Sequence, residues 1–121
     1  MILLAVSAAA GAGAVLRYGV DRAVARRTRA EWPLGTLLIN VSGSLLLGVL
    51  VGLSVHHGLG TTTLDVAGAG FCGGFTTLST WAWESIALAE TSEWSGSLLN
   101  VVGSVVAGLL AAGAGLGLAR L

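Results

Sequence analysis

The sequence predicts an all-α membrane protein of four transmembrane helices, the third of them broken. Three observations carry that prediction. The 121 residues are 55% hydrophobic and only 10% charged, with a mean hydropathy of +0.88. Soluble domains carry roughly 25% charged residues, so this chain lacks the polar material to cover a water-facing surface. Apolar stretches recur four times, each near the ~20 residues that cross a bilayer core. One of them contains Gly70–Glu84 (GFCGGFTTLSTWAWE), a run of glycines and hydroxyls that a plain membrane helix does not need. The length allows one domain, residues 1–121.

The first helix is expected over about residues 2–24. Its start, MILLAVSAAAGAGA, has the small residues of a signal-peptide cleavage site but no basic n-region, and the apolar pattern runs on to Val15 and Leu16, so it reads as a retained helix. The following connection holds Arg22, Arg26, Arg27 and Arg29, and Trp32-Pro33 opens the second helix, about 34–55. Proline suits a first helical turn because its missing N–H is not needed there. Adjacent His56 and His57 lack metal-pair spacing and read as a solvated loop. The third helix spans about 64–88 and the fourth about 94–118, joined by the acidic connection 89–93. Cys72 is the single cysteine, which excludes an internal disulfide. The arginine-bearing connection belongs in the cytoplasm by the positive-inside rule, with both termini outside.

Two helices carry stripes of small residues. Asn40, Ser44, Gly48 and Gly52 repeat at four-residue spacing on the second, and Asn100, Ser104, Gly108 and Ala112 on the fourth. Small residues allow the close backbone approach that drives helix packing in lipid. The two asparagines ask for more, since an amide in hydrocarbon needs a partner or water.

On the third helix, Gly70, Gly73 and Gly74 weaken the helix by roughly 1 kcal/mol each relative to alanine. A break over Gly73–Thr76 would free backbone carbonyls, which are ligands for a hard cation. Beyond it, Thr76, Thr80 and Glu84 fall on one face at i, i+4, i+8, and Thr77, Trp81 and Ser85 on the next. Hydroxyls and an indole N–H can donate to a dehydrated anion, and an aromatic edge carries partial positive charge. The plain alternative is that each hydroxyl bonds back to its own helix.

These residues resemble the Fluc or CrcB-type fluoride channel family. The likeness runs through GAGAVLRY, PLGTLLINVSGSLLLG, GFCGGFTTLSTWAWE and NVVGSVVAG, in order and over nearly the whole chain. The resemblance implies a passive channel that exports fluoride across the bacterial plasma membrane, built as an antiparallel, dual-topology dimer with ion pathways along its interface. It implies a structural Na+ at the dimer centre, held by the backbone carbonyls of Gly73 and Thr76. Asn40 lies near the pore in this reading, and Ser79, Thr80 and Ser104 map onto the hydroxyl track. Arg17 and Glu84 fall at vestibule or structural positions. Nucleic acid is not an expected partner.

Two departures stand out. The family pattern TTFSTF is here Thr-Thr-Leu78-Ser-Thr-Trp81, so the first aromatic edge is missing. The arginine bias fixes one orientation, whereas a chain that inserts both ways should have balanced charge. Both departures point to one half of a heterodimer with a related, oppositely oriented subunit, with a homodimer as the alternative. Competing functions are a small multidrug-type proton-coupled exporter and a non-transporting membrane subunit. No P-loop, triad or metalloprotease motif suggests an enzyme.

Overall fold

The computed structural model describes residues 1–29 and 31–121, and every element in it is helical. Helix α1 covers Ile2–Arg27, and α2 covers Leu34–His57. The third crossing has two halves. Its first half, α3, begins at Thr61–Leu64, widens to π-helical turns over Asp65–Cys72, and ends at Gly73–Phe75. Its second half, α4, covers Leu78–Glu90, and α5 covers Trp94–Leu118. Three helices, α1, α2 and α5, are individually long and apolar enough to cross a membrane. Neither half of the third crossing is, which is what a broken span requires.

The interior is built from glycine rather than from large side chains. Among the described residues, the buried apolar side chains are Ile39, Cys72, Phe75 and Ala119, whereas eight glycines are buried: Gly13, Gly35, Gly43, Gly48, Gly52, Gly68, Gly70 and Gly115. Two parallel helix pairs explain this. Helix α2 lies against α5, where a Cβ on Gly48 would strike the Ala112 backbone and one on Gly115 the Leu45 carbonyl. Helix α1 lies against α3, where a Cβ on Gly70 would sit 2.9 Å from the Val6 carbonyl and one on Gly74 2.7 Å from Ala10 Cα. Such approach brings backbone dispersion contacts within reach, the force that holds helices together in lipid. The G-x-x-x-G pair on α2 is therefore a packing device. Large exposed residues, among them Leu98, Leu99, Val102, Val106, Leu109 and Leu110 along α5, face outward. In water that surface would be a fault, but a bilayer solvates it.

Three expectations change here. The break is not at the glycines. Gly73 has ordinary helical angles (φ −62, ψ −39), and the chain leaves the helix at Thr76 (ψ 162) and Thr77 (φ −146, ψ 124). The glycines serve contact with α1 instead. Consequently Thr76 is not on the helical face of Thr80 and Glu84. The histidines, finally, close α2 rather than lying in a loop. Gly58 at φ 70 ends the helix as a left-handed cap, and His57 Nε2 lies 2.9 Å from the Ala119 carbonyl.

Candidate functional site

A helix end leaves its last carbonyls and first N–H groups unpaired, and in a membrane each must find a partner. At the break of the third crossing, distant side chains supply them. Asn40 on α2 clamps Thr77 from both sides: the Thr77 N–H donates to Asn40 Oδ1 at 2.8 Å, and Asn40 Nδ2 donates to the Thr77 carbonyl at 2.9 Å. Arg17 on α1 donates from Nη1 to the Thr76 carbonyl at 3.1 Å. Thr77 caps α4 with its own hydroxyl, which accepts the Thr80 N–H at 3.2 Å. Because the Thr77 N–H turns to Asn40, the Gly73 carbonyl loses its helical donor four residues on. Gly73 is exposed, and nothing lies within 4 Å of where its Cβ would be, so this part of the break opens outward.

The hydroxyls divide between two roles. Thr76 Oγ1 donates back to the Cys72 carbonyl at 2.9 Å, the plain helical alternative. Thr77 Oγ1 donates to Thr80 Oγ1 at 3.0 Å and lies 3.4 Å from Ser79 Oγ, so these three form one cluster. Ser79 and Thr80 are exposed, which leaves their remaining capacity available.

Trp81 and Ser104 belong to a different network, one that ties α4 to α5. The Trp81 indole N–H donates to the Asn100 carbonyl at 3.1 Å, so it is not the free donor that its sequence position suggests. Asn100 is wholly buried. Its Nδ2 donates to Ser85 Oγ at 2.9 Å, and its Oδ1 accepts from Ser104 Oγ at 3.2 Å. Ser85 Oγ in turn donates to the Trp81 carbonyl at 2.8 Å. The network closes on itself and accounts for the Asn100 amide.

Glu84 reaches α2, where Thr36 Oγ1 donates to its Oε1 at 2.9 Å, while Oε2 is buried with no partner among the described residues. Leu78 is 76% exposed and points away from the subunit. Its aliphatic side chain adds surface to the outside of the break and no polar contact.

Three hollows meet these residues. The largest, an open groove of about 580 Å³, is lined by Asn40, Ser44, Gly73, Thr76, Thr77 and Leu78 among others. A smaller cavity of about 170 Å³ lies between α1, α2 and α4, where Arg17 and Asp21 meet the hydroxyls of Tyr18, Thr36, Thr77 and Thr80. A third, about 220 Å³, holds Asp21 and Glu84 under Trp32. Two carboxylates without a lining cation make it unsuitable for holding a free anion. The arrangement around the break can thus offer a small anion donors from Arg17, Asn40 and the Thr77–Thr80 cluster. It can offer a cation the carbonyls of Gly73 and Thr76, the second already bonded to Arg17 through one of its two lone pairs.

Thr77 is the residue that sequence reasoning placed on a helical face among the donors beside a pore, whereas the structure puts it at the N-cap of α4. The signal was present, since a threonine followed three residues later by another polar residue, ahead of an apolar helix, marks an N-cap.

The chain is similar to known proteins over most of its length. A family model described as "CrcB-like protein, Camphor Resistance (CrcB)" matches residues 4–116. "Fluoride-specific ion channel FluC 1" of Leifsonia xyli subsp. xyli is 41% identical over 121 residues, covering 100% of this chain and 88% of the relative. "Fluoride-specific ion channel FluC 2" of Mycobacterium tuberculosis is 46% identical over 102 residues, 84% of this chain and 78% of the relative. "Fluoride-specific ion channel FluC" of Chloroflexus aurantiacus is 40% identical over 119 residues, 98% of this chain and 94% of the relative.

Proposed function

The chain belongs to the CrcB-like family of multi-pass membrane proteins, and from that membership we propose that it is a passive, fluoride-selective channel exporting fluoride from the cytoplasm. The observation that carries this reading is the membrane-buried break whose backbone is held by Arg17 and Asn40 beside the Thr77–Thr80 hydroxyls. A small, strongly hydrated anion gives up its water only where fixed donors replace it. Guanidinium, amide and hydroxyl groups held at a helix break are such donors, already oriented by the fold. Fluoride that enters as the neutral acid and dissociates inside is trapped as the anion, and a channel releases it down its gradient without a coupled ion.

In this reading the ion pathway runs past Asn40, Leu78, Ser79 and Thr80, with Trp81 and Ser104 behind it. The clamp that Trp81 and Ser104 make with Asn100 supports a role for those two in fixing α4 against α5. Arg17 supplies positive charge from within the subunit. The donor set at the break fits a hard cation such as Na+, because the Gly73 carbonyl has lost its helical donor and Gly73 is exposed on the open groove. Gly73 and Thr76 would hold it, together with the same groups of a second subunit, and the ion would supply positive charge at the subunit boundary.

The outward opening of the break, with Leu78 exposed on it, supports assembly as an antiparallel pair. The arginines that the structure places on the last turns of α1 (Arg22, Arg26 and Arg27) rather than in a connection, with Arg29 just beyond, and the missing aromatic at Leu78 favour a related, oppositely inserted partner over a second identical copy. A multidrug-type exporter is disfavoured by Glu84, whose one bonded oxygen is engaged by Thr36 rather than facing the outer groove. The decisive measurement is fluoride-electrode efflux from vesicles containing the purified chain, with and without a candidate sister subunit. Fluoride efflux is expected, stronger with the partner. An absence of efflux in both preparations overturns the channel, and full efflux from antiparallel homodimers overturns the heterodimer.

A further inference from the structure

The groove on the outside of the break and the cavity between α1, α2 and α4 share part of one wall. Among their lining residues, Thr77 alone belongs to both. On the groove side its neighbours are Asn40 and Thr76, and on the cavity side Arg17, Thr36 and Thr80. We propose that the Thr77 side chain is the partition of the permeation path, and that the anion crosses from the Arg17 cavity to the Asn40 groove past its hydroxyl and methyl group. This rests on the channel reading above and assigns it a crossing point within one subunit.

The chemistry of the position fits a crossing. Thr77 is 8% exposed, so its side chain fills the wall between the two spaces. Its backbone cannot yield, because Asn40 holds both the N–H and the carbonyl, and Arg17 holds the carbonyl just before. Its hydroxyl has one proton, now donated to Thr80 Oγ1 at 3.0 Å. A hydroxyl rotor is free to redirect that proton, so an anion arriving beside Thr80 can take it without any backbone movement. Donors flank both sides. Arg17 has five N–H groups, of which the bond to Thr76 engages one, and the Asn40 amide has a second N–H beyond the one on Thr77. The methyl group narrows the same gap. Asp21 is the other charged side chain lining the cavity, and it lies one turn beyond Arg17 on α1. Arg17 is bonded to the residue next to the partition, at the Thr76 carbonyl.

Thr77 also caps α4, so a test must separate the cap from the crossing. Serine, threonine and asparagine all cap helices well, while their volumes differ. A Thr77→Ser and Thr77→Asn series, in vesicles with whichever subunit composition gives wild-type efflux, varies the gap while keeping the cap. Fluoride and chloride efflux are read for each variant, with tryptophan-monitored melting to establish folding. The larger asparagine is expected to lower fluoride efflux by about tenfold or more with melting unchanged. The serine, one methyl smaller, is expected to keep fluoride efflux and raise chloride efflux relative to it by about tenfold, the scale on which one methyl group discriminates in a close-fitting site. A cap-only role predicts three proteins alike in both fluxes. A folded Thr77→Asn protein that passes fluoride like the wild type overturns the proposal. Where the asparagine variant does not fold, a serine variant with the wild-type fluoride-to-chloride ratio overturns it equally. Wild-type vesicles that pass no fluoride sink the channel reading itself. Conducting wild type with a flat series sinks only the assignment of Thr77.

Discussion

Removing the Asn40 side chain is the sharpest probe of how the break is held. Asn40→Ala deletes two bonds of 2.8 and 2.9 Å and strands both backbone groups of Thr77. A buried donor or acceptor left without a partner costs about 1–3 kcal/mol, so two of them set a range of about 2–6 kcal/mol. Asn40 is only half-buried and lines an open groove, so water can reach part of the gap and the lower half of the range applies, about 2–4 kcal/mol. The loss has a structural consequence as well. The freed Thr77 N–H is the natural helical partner of the Gly73 carbonyl, so the third crossing gains a route to heal across Thr76 and draw α4 out of place. Unfolding in detergent micelles, followed by tryptophan fluorescence, reads the stability, and fluoride efflux reads the site. Both are expected to fall together. Asn40→Asp keeps the acceptor for the N–H and loses the donor to the carbonyl, so it should fall between alanine and wild type in stability. A stability change below about 0.5 kcal/mol in the alanine variant, with efflux intact, would refute the clamp.

Two further outcomes follow from the packing around the site. Gly74→Ala pushes a Cβ to 2.7 Å from the Ala10 Cα, backbone that cannot swing aside, so α1 and α3 must separate; a loss of at least about 1–3 kcal/mol is expected in the same unfolding assay, and a neutral variant would show that the pair is loosely packed. Leu78→Phe lies on a 76% exposed position, so stability should move by less than about 0.5 kcal/mol, while fluoride efflux from the chain alone should rise if the missing aromatic is what limits it; unchanged efflux removes Leu78 from the explanation for a partner.

Four spans in order were legible because lipid imposes a length and a composition on every crossing. That some break lay in the third span was legible too, from hydroxyls and glycines that an apolar helix has no use for. Its position was not. Glycine propensity argues for a break at Gly73, but propensity is local, and here tertiary contact overrides it. Gly70 and Gly74 are helical because α1 needs their missing side chains. Thr76 and Thr77 leave the helix because Arg17, 59 residues away, and Asn40, 37 residues away, take over their backbone groups. No window of sequence contains both halves of those bonds. The same limit hid the Trp81 bond to Asn100, which turned an apparent anion donor into a tie between helices. The end of α2 was within reach of the sequence, since Gly58 directly after His57 is the residue a left-handed helix cap favours.

The two side chains at the break do not have the same consequence. Asn40 gives both backbone groups of Thr77 a partner, donor and acceptor together. Arg17 satisfies one lone pair of the Thr76 carbonyl and leaves the other, while the Gly73 carbonyl loses its helical donor because Asn40 has taken the Thr77 N–H. The clamp that secures the break within the subunit is therefore also what exposes a carbonyl outside it. Gly73 is exposed on the open groove, so its carbonyl needs a partner that the helix no longer supplies. A cation, or a donor from a second subunit, answers that need. The lost helical bond thus originates in Asn40 on α2 and is expressed at Gly73 on α3, two positions that only the folded chain brings together.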